Sequence, residues 1–278
     1  MTAGPLARNH FIDIAGSRMH VVDVGEGPPV MLGHSFLWDA EMWRPQIDFL
    51  ARRHRVIVPD LWGHGTSGPL PSHSCGIRDL AHQHLALLDA LEIERCAVVG
   101  LSVGGMWGAE LALIAPERVS ALVLMGTSLA AEPADTQALY YAMLGAIAKA
   151  GVLPDQVREA AVPLFFSPGA RERRPNLIEA FDASLRGWNA ERLMDSIVPL
   201  GRMIFGRRDA AAELADIDAP TLVMTGSGDL ARPPHEGRAM AELLDCPFIE
   251  IPQAGHISSL EAPDFVNDAL SKFLARNQ

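Results

Sequence analysis

Gly100-Leu101-Ser102-Val103-Gly104 is a G-x-S-x-G pentapeptide, with the apolar run Ala97-Val98-Val99 before it and a helical pattern over 103–115 behind it. A nucleophilic serine needs that setting. A tight strand-to-helix turn thrusts its hydroxyl out of the backbone, and flanking glycines allow the chain segments to approach closely. The helix start behind it offers partial positive charge and free N–H groups to an oxyanion. A serine hydroxyl is a weak nucleophile and needs a base that is itself held by an acid. Of the ten histidines, His256 stands in Gln253-Ala254-Gly255-His256-Ile257, just past the last strand-like run. Asp229, in Gly226-Ser227-Gly228-Asp229, follows the strand-like run before it. Both then belong at the carboxyl edge of a sheet, where α/β proteins concentrate function, and the chain order serine, aspartate, histidine fits. Asp209, Asp216 and Asp218 precede that strand and fall at the opposite end. His34 shares the favoured edge and is the rival base, although it reads better as a residue that orders its loop. The chemistry expected is acyl transfer.

An oxyanion site needs two donors. Val103 N–H is one, and the loop after Gly33-His34 is placed to give the other, from Phe36. Asp60-Leu61-Trp62-Gly63-His64-Gly65-Thr66-Ser67 reads as a structured turn because of its glycines and its place after a strand. His82 and His84, two apart on a helix, point to different faces and do not share a metal. With no HxH or HExxH cluster, no metal is expected. With no phosphate loop ending in lysine and no GxGxxG after the first strand, no nucleotide cofactor is expected either.

The elements that must position these residues alternate. Residues 10–14 and 19–24 read as a hairpin around Gly16-Ser17; strands follow at 30–34, 56–60, 97–99 and 119–125, with helices at 43–50, 79–91 and 103–115. Runs apolar on both faces call for a mostly parallel sheet covered on each side. From 127 to 215 the pattern is helical only, punctuated by prolines. It resumes with strands at 221–225 and 248–251 and helices at 236–244 and 263–275. The organisation expected is a core of 1–126 and 216–278 interrupted by a helical cap over 127–215. Lids over a reactive serine commonly line its pocket. Tyr140, Phe165 and Trp188 of this segment, with His34 and Ser35, are the candidate substrate contacts, and Arg186, Arg202, Arg207 and Arg208 are candidates to hold a carboxylate.

The 278-residue chain is 49% hydrophobic and 21% charged, an ordinary globular balance, and its formal net charge of −11 repels phosphate backbones and anionic membranes. Neither nucleic acid nor a membrane is an expected partner. Its start has no apolar leader, and no stretch approaches the roughly 18 apolar residues of a membrane helix. Three scattered cysteines, Cys75, Cys96 and Cys246, read as reduced thiols of a cytoplasmic protein. Self-association into a homo-oligomer is compatible with these properties.

Taken together, Gly33-His34-Ser35-Phe36, the Pro59–Ser67 stretch, Gly100 to Met106, Gly226 to Asp229 and Ala254-Gly255-His256 resemble the α/β-hydrolase superfamily over nearly the whole chain. Within it, Ala115-Pro116-Glu117-Arg118-Val119 onward to Thr127 and the C-terminal part are similar to carboxylesterases and 3-oxoadipate enol-lactonases. The resemblance implies an α/β-hydrolase fold, a mostly parallel central sheet flanked by helices with an inserted helical cap. It places nucleophile, acid and base on Ser102, Asp229 and His256, and oxyanion donors on Phe36 and Val103. One departure stands out: many members carry His-Gly in the oxyanion loop, and this chain has His34-Ser35, which alters the loop's dihedrals or adds a hydroxyl to the site. A serine nucleophile disfavours haloalkane dehalogenase and epoxide hydrolase chemistry. The implied activity is hydrolysis of a small carboxylic ester through an acyl-enzyme. An enol-lactonase, a cofactor-free perhydrolase or haloperoxidase, and a non-catalytic ligand-binding homologue are the alternatives.

Overall fold

The structure is a computed structural model that describes residues 8–277; the opening residues 1–7, read above for a leader, lie outside them. Eight strands, β1 (Arg8–Ile14), β2 (Ser17–Val24), β3 (Pro29–Gly33), β4 (Arg55–Pro59), β5 (Cys96–Leu101), β6 (Val119–Met125), β7 (Thr221–Gly226) and β8 (Phe248–Ile251), form one sheet in the order β1-β2-β4-β3-β5-β6-β7-β8. From β4 to β8 every pairing is parallel, and β2 joins both β1 and β4 antiparallel. The hairpin turn is Ala15-Gly16 rather than Gly16-Ser17, with φ of 52° and 81°. A two-residue turn with positive φ at both positions matches the twist of the strands, and Ser17 is thereby released to open β2.

Side-chain alternation along the central strands sorts the core into two layers. Met31, Val98, Leu122 and Leu124 face one side, while Val30, Leu32, Ala97, Val99, Ala121 and Val123 face the other. Each set needs a covering layer. The first receives α2 (Ile77–Ala90) and α3 (Val103–Ile114) through Leu80, Leu87, Met106 and Trp107. The second receives α1 (Arg44–Leu50) through Ile47 and Leu50. The helix expected from Trp43 begins one residue later, because Ala40–Trp43 forms a 3-10 turn and Pro45 sits in the first turn of α1.

Between β6 and β7 the chain runs through α4 (Ala134–Ala150), α5 (Asp155–Ala161), α6 (Ala170–Arg173), α7 (Pro175–Arg186), α8 (Ala190–Arg192) and α9 (Val198–Phe205). Then α10 (Pro234–Leu243) covers the first face, and α11 (Ser258–Glu261) and α12 (Pro263–Asn277) close the chain, α12 burying Val266 and Leu270 against the second. Among the described residues no helix is long and apolar enough to cross a membrane.

One packing contact governs the site. The N-terminus of α3 lies against the ends of β3 and β5 so closely that a Cβ on Gly104 would overlap the Gly33 carbonyl, and one on Gly100 would overlap the Gly104 carbonyl. Backbone cannot move aside as a side chain can. Gly104→Ala therefore costs about 3 kcal/mol or more, in the upper range of overpacking. Gly145, inside α4 with open space around it, behaves oppositely: Gly145→Ala stabilises by roughly 0.5–1 kcal/mol through helix propensity. Urea unfolding midpoints of the two variants, displaced in opposite directions, check both statements.

Candidate active site

Ser102 links β5 to α3 with φ 58° and ψ −120°, a conformation that side chains rarely adopt. The surroundings hold it there. Its N–H donates to the Met125 carbonyl at 2.9 Å, and its own carbonyl accepts from Gly105 N–H at 2.9 Å, Met106 N–H at 3.0 Å and the Thr127 hydroxyl at 2.7 Å. Val103 opens α3 behind it, with no side chain capping the helix start.

His256 and Asp229 meet as an isolated polar pair. His256 Nδ1 lies 2.9 Å from Asp229 Oδ2, and the two side chains are only 3% and 0% exposed. A carboxylate oxygen only accepts, so Nδ1 is the donor of this bond and Nε2 is the ring nitrogen turned away from Asp229. The other carboxylate oxygen accepts from Ala231 N–H at 2.9 Å and Arg232 N–H at 2.8 Å. Those bonds leave one orientation for the acid. Ser102 and His256 line the same cavity.

Gly126 also stands against this pair, although a glycine at a strand end is the only local signal that marks it. With φ +47° it follows β6; a Cβ there would stand 2.9 Å from Asp229 Oδ2 and 3.3 Å from His256 Nδ1. The His256 loop is tied down from two sides. Gly255 N–H donates to Glu261 Oε1 at 2.9 Å, and Ile257 N–H donates to the Phe165 carbonyl at 3.0 Å. Glu261 also accepts from the Ser167 backbone and hydroxyl. Glu261 and Ser167 are 94 residues apart, a separation no local pattern reveals.

The loop after β3 is clasped by two histidines. His34 Nε2 accepts from Leu61 N–H at 2.8 Å and its Nδ1 donates to the Ser35 carbonyl at 2.8 Å. His64 Nε2 accepts from Leu37 N–H at 3.0 Å and its Nδ1 donates to the Trp62 carbonyl at 2.9 Å. Both rings are fully buried and both nitrogens of each are committed to backbone, so His34 is not the base. Burial lowers the His34 pKa, outweighing the pull of the Asp60 carboxylate. Burial, helped by His34, brings His64 down to about 3. His84, stacked on Trp107 with its Nδ1 on the Leu80 carbonyl, is lowered by burial to about 4. His82, on the other face of α2, is exposed.

Of the residues expected to touch substrate, Ser35, Tyr140 and Phe165 line the cavity with Ser102, Phe36 and His256. His34 and Trp188 do not. His34 lies behind the loop, and Trp188 packs edge-on against His64 at 5.6 Å between ring centroids. The four arginines expected to hold a carboxylate are absent from the lining too. Arg186 pairs with Asp182, Arg207 with Glu132 and Arg208 with Glu110 and Glu213, while Arg202 lies over the Tyr141 ring. The guanidinium that does line the cavity is that of Arg232, and it is bound to Glu132 at 2.6 Å and Glu236 at 3.2 Å. Burial pushes the Cys96 thiol up to about 12, and partial burial pushes the half-buried Cys246 thiol up to about 11, which disfavours the thiolate at both.

The neutral buried histidines make stability depend on pH. Unfolded, they bind protons below about pH 6.5; folded, His64 and His84 stay neutral down to about 3 and 4. The unfolded state therefore holds more protons between these limits, and stability falls as pH drops below 6.5, by up to ~1.4 kcal/mol per pH unit for each ring. Urea unfolding at stepped pH is expected to show this slope. His64→Gln, whatever its absolute stability, flattens the slope by about one proton; an unchanged slope would mean that His64 is charged in the fold.

A family model described as the alpha/beta hydrolase fold matches residues 28–263. The chain is 28% identical to 3-oxoadipate enol-lactonase 2 of Acinetobacter baylyi, covering 90% of this chain and 89% of that one. It is 32% identical to a protein of Azorhizobium caulinodans whose name proposes a carbamate hydrolase, over 90% of this chain and 92% of the other. Among solved structures it is similar to a thermophilic esterase from Thermogutta terrifontis, with a TM-score of 0.85, 26% identity and 99% of each chain covered. By the extent of the family match and by its eight-stranded sheet, the protein belongs to the α/β-hydrolase family.

Proposed function

We propose that the protein is a serine hydrolase that cleaves an uncharged carboxylic ester with an apolar acyl or alcohol part. One observation carries this reading: Ser102 and an Asp229-bound His256 line a single cavity whose remaining walls are almost wholly apolar. Phe36, Met106, Leu144, Ile147, Leu164 and Phe205 represent that wall. Among the described residues Arg232 is the one formally charged side chain in the lining, and its charge is answered by Glu132 and Glu236. An anionic lactone entering here would leave water for apolar walls and find no free cation, a costly transfer. The ester reading is thereby favoured over the enol-lactone one.

In this reading Ser102 attacks the ester carbonyl while neutral His256 takes its proton at Nε2. Asp229 holds the imidazole and balances its cationic form. The N–H groups of Phe36 and Val103 hold the oxyanion. His256 then protonates the departing alcohol, and water frees the acid by the same route. The helical stretch 127–215 acts as a cap: its α4, α7 and α9 supply Tyr140, Leu144, Leu185 and Ile204 to the cavity.

A panel of p-nitrophenyl esters graded by acyl length, set beside an anionic enol-lactone, tests the assignment. Uncharged esters are expected to turn over with an optimum at intermediate chain length, and the anionic lactone poorly. Ser102→Ala lowers kcat by about 10⁴-fold or more. A variant near full activity, or a preference for the anionic lactone, refutes the reading.

A further inference from the structure

The loop that carries Phe36 leaves one polar group without a partner. Gly33 pairs with Gly100 in the last register of β3 and β5. Ser35 lies as far beyond Gly33 as Ser102 lies beyond Gly100, so the two serines leave adjacent parallel strands at the same level. Ser35 is fully buried and lines the cavity that holds Ser102 and His256. Its backbone is fully committed: the N–H donates to Met42 Sδ at 3.3 Å, and the carbonyl accepts from Trp38 N–H at 3.2 Å and His34 Nδ1 at 2.8 Å. Its hydroxyl is buried and bonded to nothing. The other residues with buried unpaired polar side-chain atoms, among them Trp43, His84, Trp107 and Arg207, do not line this cavity.

An unpaired buried hydroxyl works against folding, and native proteins hold few of them. One kept beside the cavity, on a loop fixed by two histidines, has its donor unspent for a group that arrives with the substrate. We propose that the Ser35 hydroxyl is a third hydrogen-bond donor to the oxyanion formed at Ser102, beside the N–H groups of Phe36 and Val103. This rests on the Ser102 reading above. A hydroxyl donates or accepts, whereas an oxyanion only accepts, so the partner sets its direction. The bond strengthens as the carbonyl oxygen gains charge, so it favours the transition state over bound ester. Ser35 thus touches the reacting atoms, whereas His34 and His64 act only by positioning its loop.

The test compares Ser35→Ala with wild type and with Ser102→Ala. Loss of one oxyanion-hole side-chain donor typically costs about 10²–10³ in kcat, and one of three is expected to cost about 10- to 100-fold, with KM little changed. Inhibition by hexyl trifluoromethyl ketone, which Ser102 converts to a hemiketal anion, weakens by the same factor, while the Kd of an uncharged substrate amide at Ser102→Ala and at the Ser35→Ala/Ser102→Ala double variant is equal. The Tm of Ser35→Ala stays level or rises, because an unpaired hydroxyl has been removed. Unchanged kcat, a rise confined to KM, or a lowered Tm each overturns the role. If Ser35→Ala is fully active and Ser102→Ala is dead, only this inference fails; if Ser102→Ala is active, the triad reading falls and takes the inference with it.

Discussion

The backbone of Ser102 is held at a positive φ by contacts that tolerate no side chain, and the rest of the site is arranged around that fact. A residue in such a conformation stores on the order of 1–3 kcal/mol, which survives only where the surroundings over-determine it. Here the surroundings are the abutting backbones of Gly33, Gly100 and Gly104 and four hydrogen bonds to the Ser102 peptide groups. A fully buried parallel sheet supplies the rigidity. β5 and β7 are buried along their whole length and β6 everywhere but at Ser120, far from the site, so the strand ends from which Ser102, Gly126 and Asp229 emerge cannot shift relative to one another without opening the core.

Around this rigid edge, most buried polar groups have partners that fix a single arrangement, and the Ser35 hydroxyl is an exception. Asp229 receives two backbone N–H groups and the imidazole; His34 and His64 each use one nitrogen as acceptor and one as donor; Arg232 and Arg207 share Glu132. In a medium of low dielectric, unpaired groups are expensive and paired ones are stiff. Stiffness is what the site requires, because a donor aimed in advance at a developing charge needs no reorganisation when the charge appears. In the proposed reading the same logic bears on substrate: Arg232 in the lining is already paired with Glu132 and Glu236, so selectivity is left to shape and apolar contact.

The parts legible in the sequence were those encoded locally. Strand and helix periods placed every strand of the sheet, and the glycine-flanked Ser102 announced its own turn. Asp229 and His256 were readable because each follows a strand immediately, so that sheet topology alone brings them to one edge, where they do pair. The parts that were not legible depend on partners distant in the chain. Gly126 looks like any glycine at a strand end until the Asp229–His256 pair is seen beside it. Arg186, Arg207 and Arg208 read as free cations because residue type does not disclose that Asp182, Glu132, Glu110 and Glu213 hold them. Arg232 carries no local signal for the same reason, and Trp188, expected at the pocket, packs against His64 instead of lining the Ser102 cavity.

The helical stretch over the sheet edge touches the two loops whose geometry matters most, and it does so with different chemistry. Toward the His256 loop its contacts are hydrogen bonds: the Phe165 carbonyl receives Ile257 N–H, and Ser167 is bound to Glu261, which also receives Gly255 N–H. Toward the other loop it offers Trp188 edge-on to His64, Arg192 donating to the Gly65 carbonyl at 3.0 Å, and the Ser196 hydroxyl accepting from Leu70 N–H at 3.0 Å. The first set is buried and directional; the second is one aromatic contact and two partly buried bonds. On the ester-hydrolase reading proposed above, an opening that admits substrate is expected to cost less on the His64 side, where fewer fully buried bonds are lost. Such an opening would leave the His256 loop and Asp229 in place, so that the sheet edge keeps its geometry.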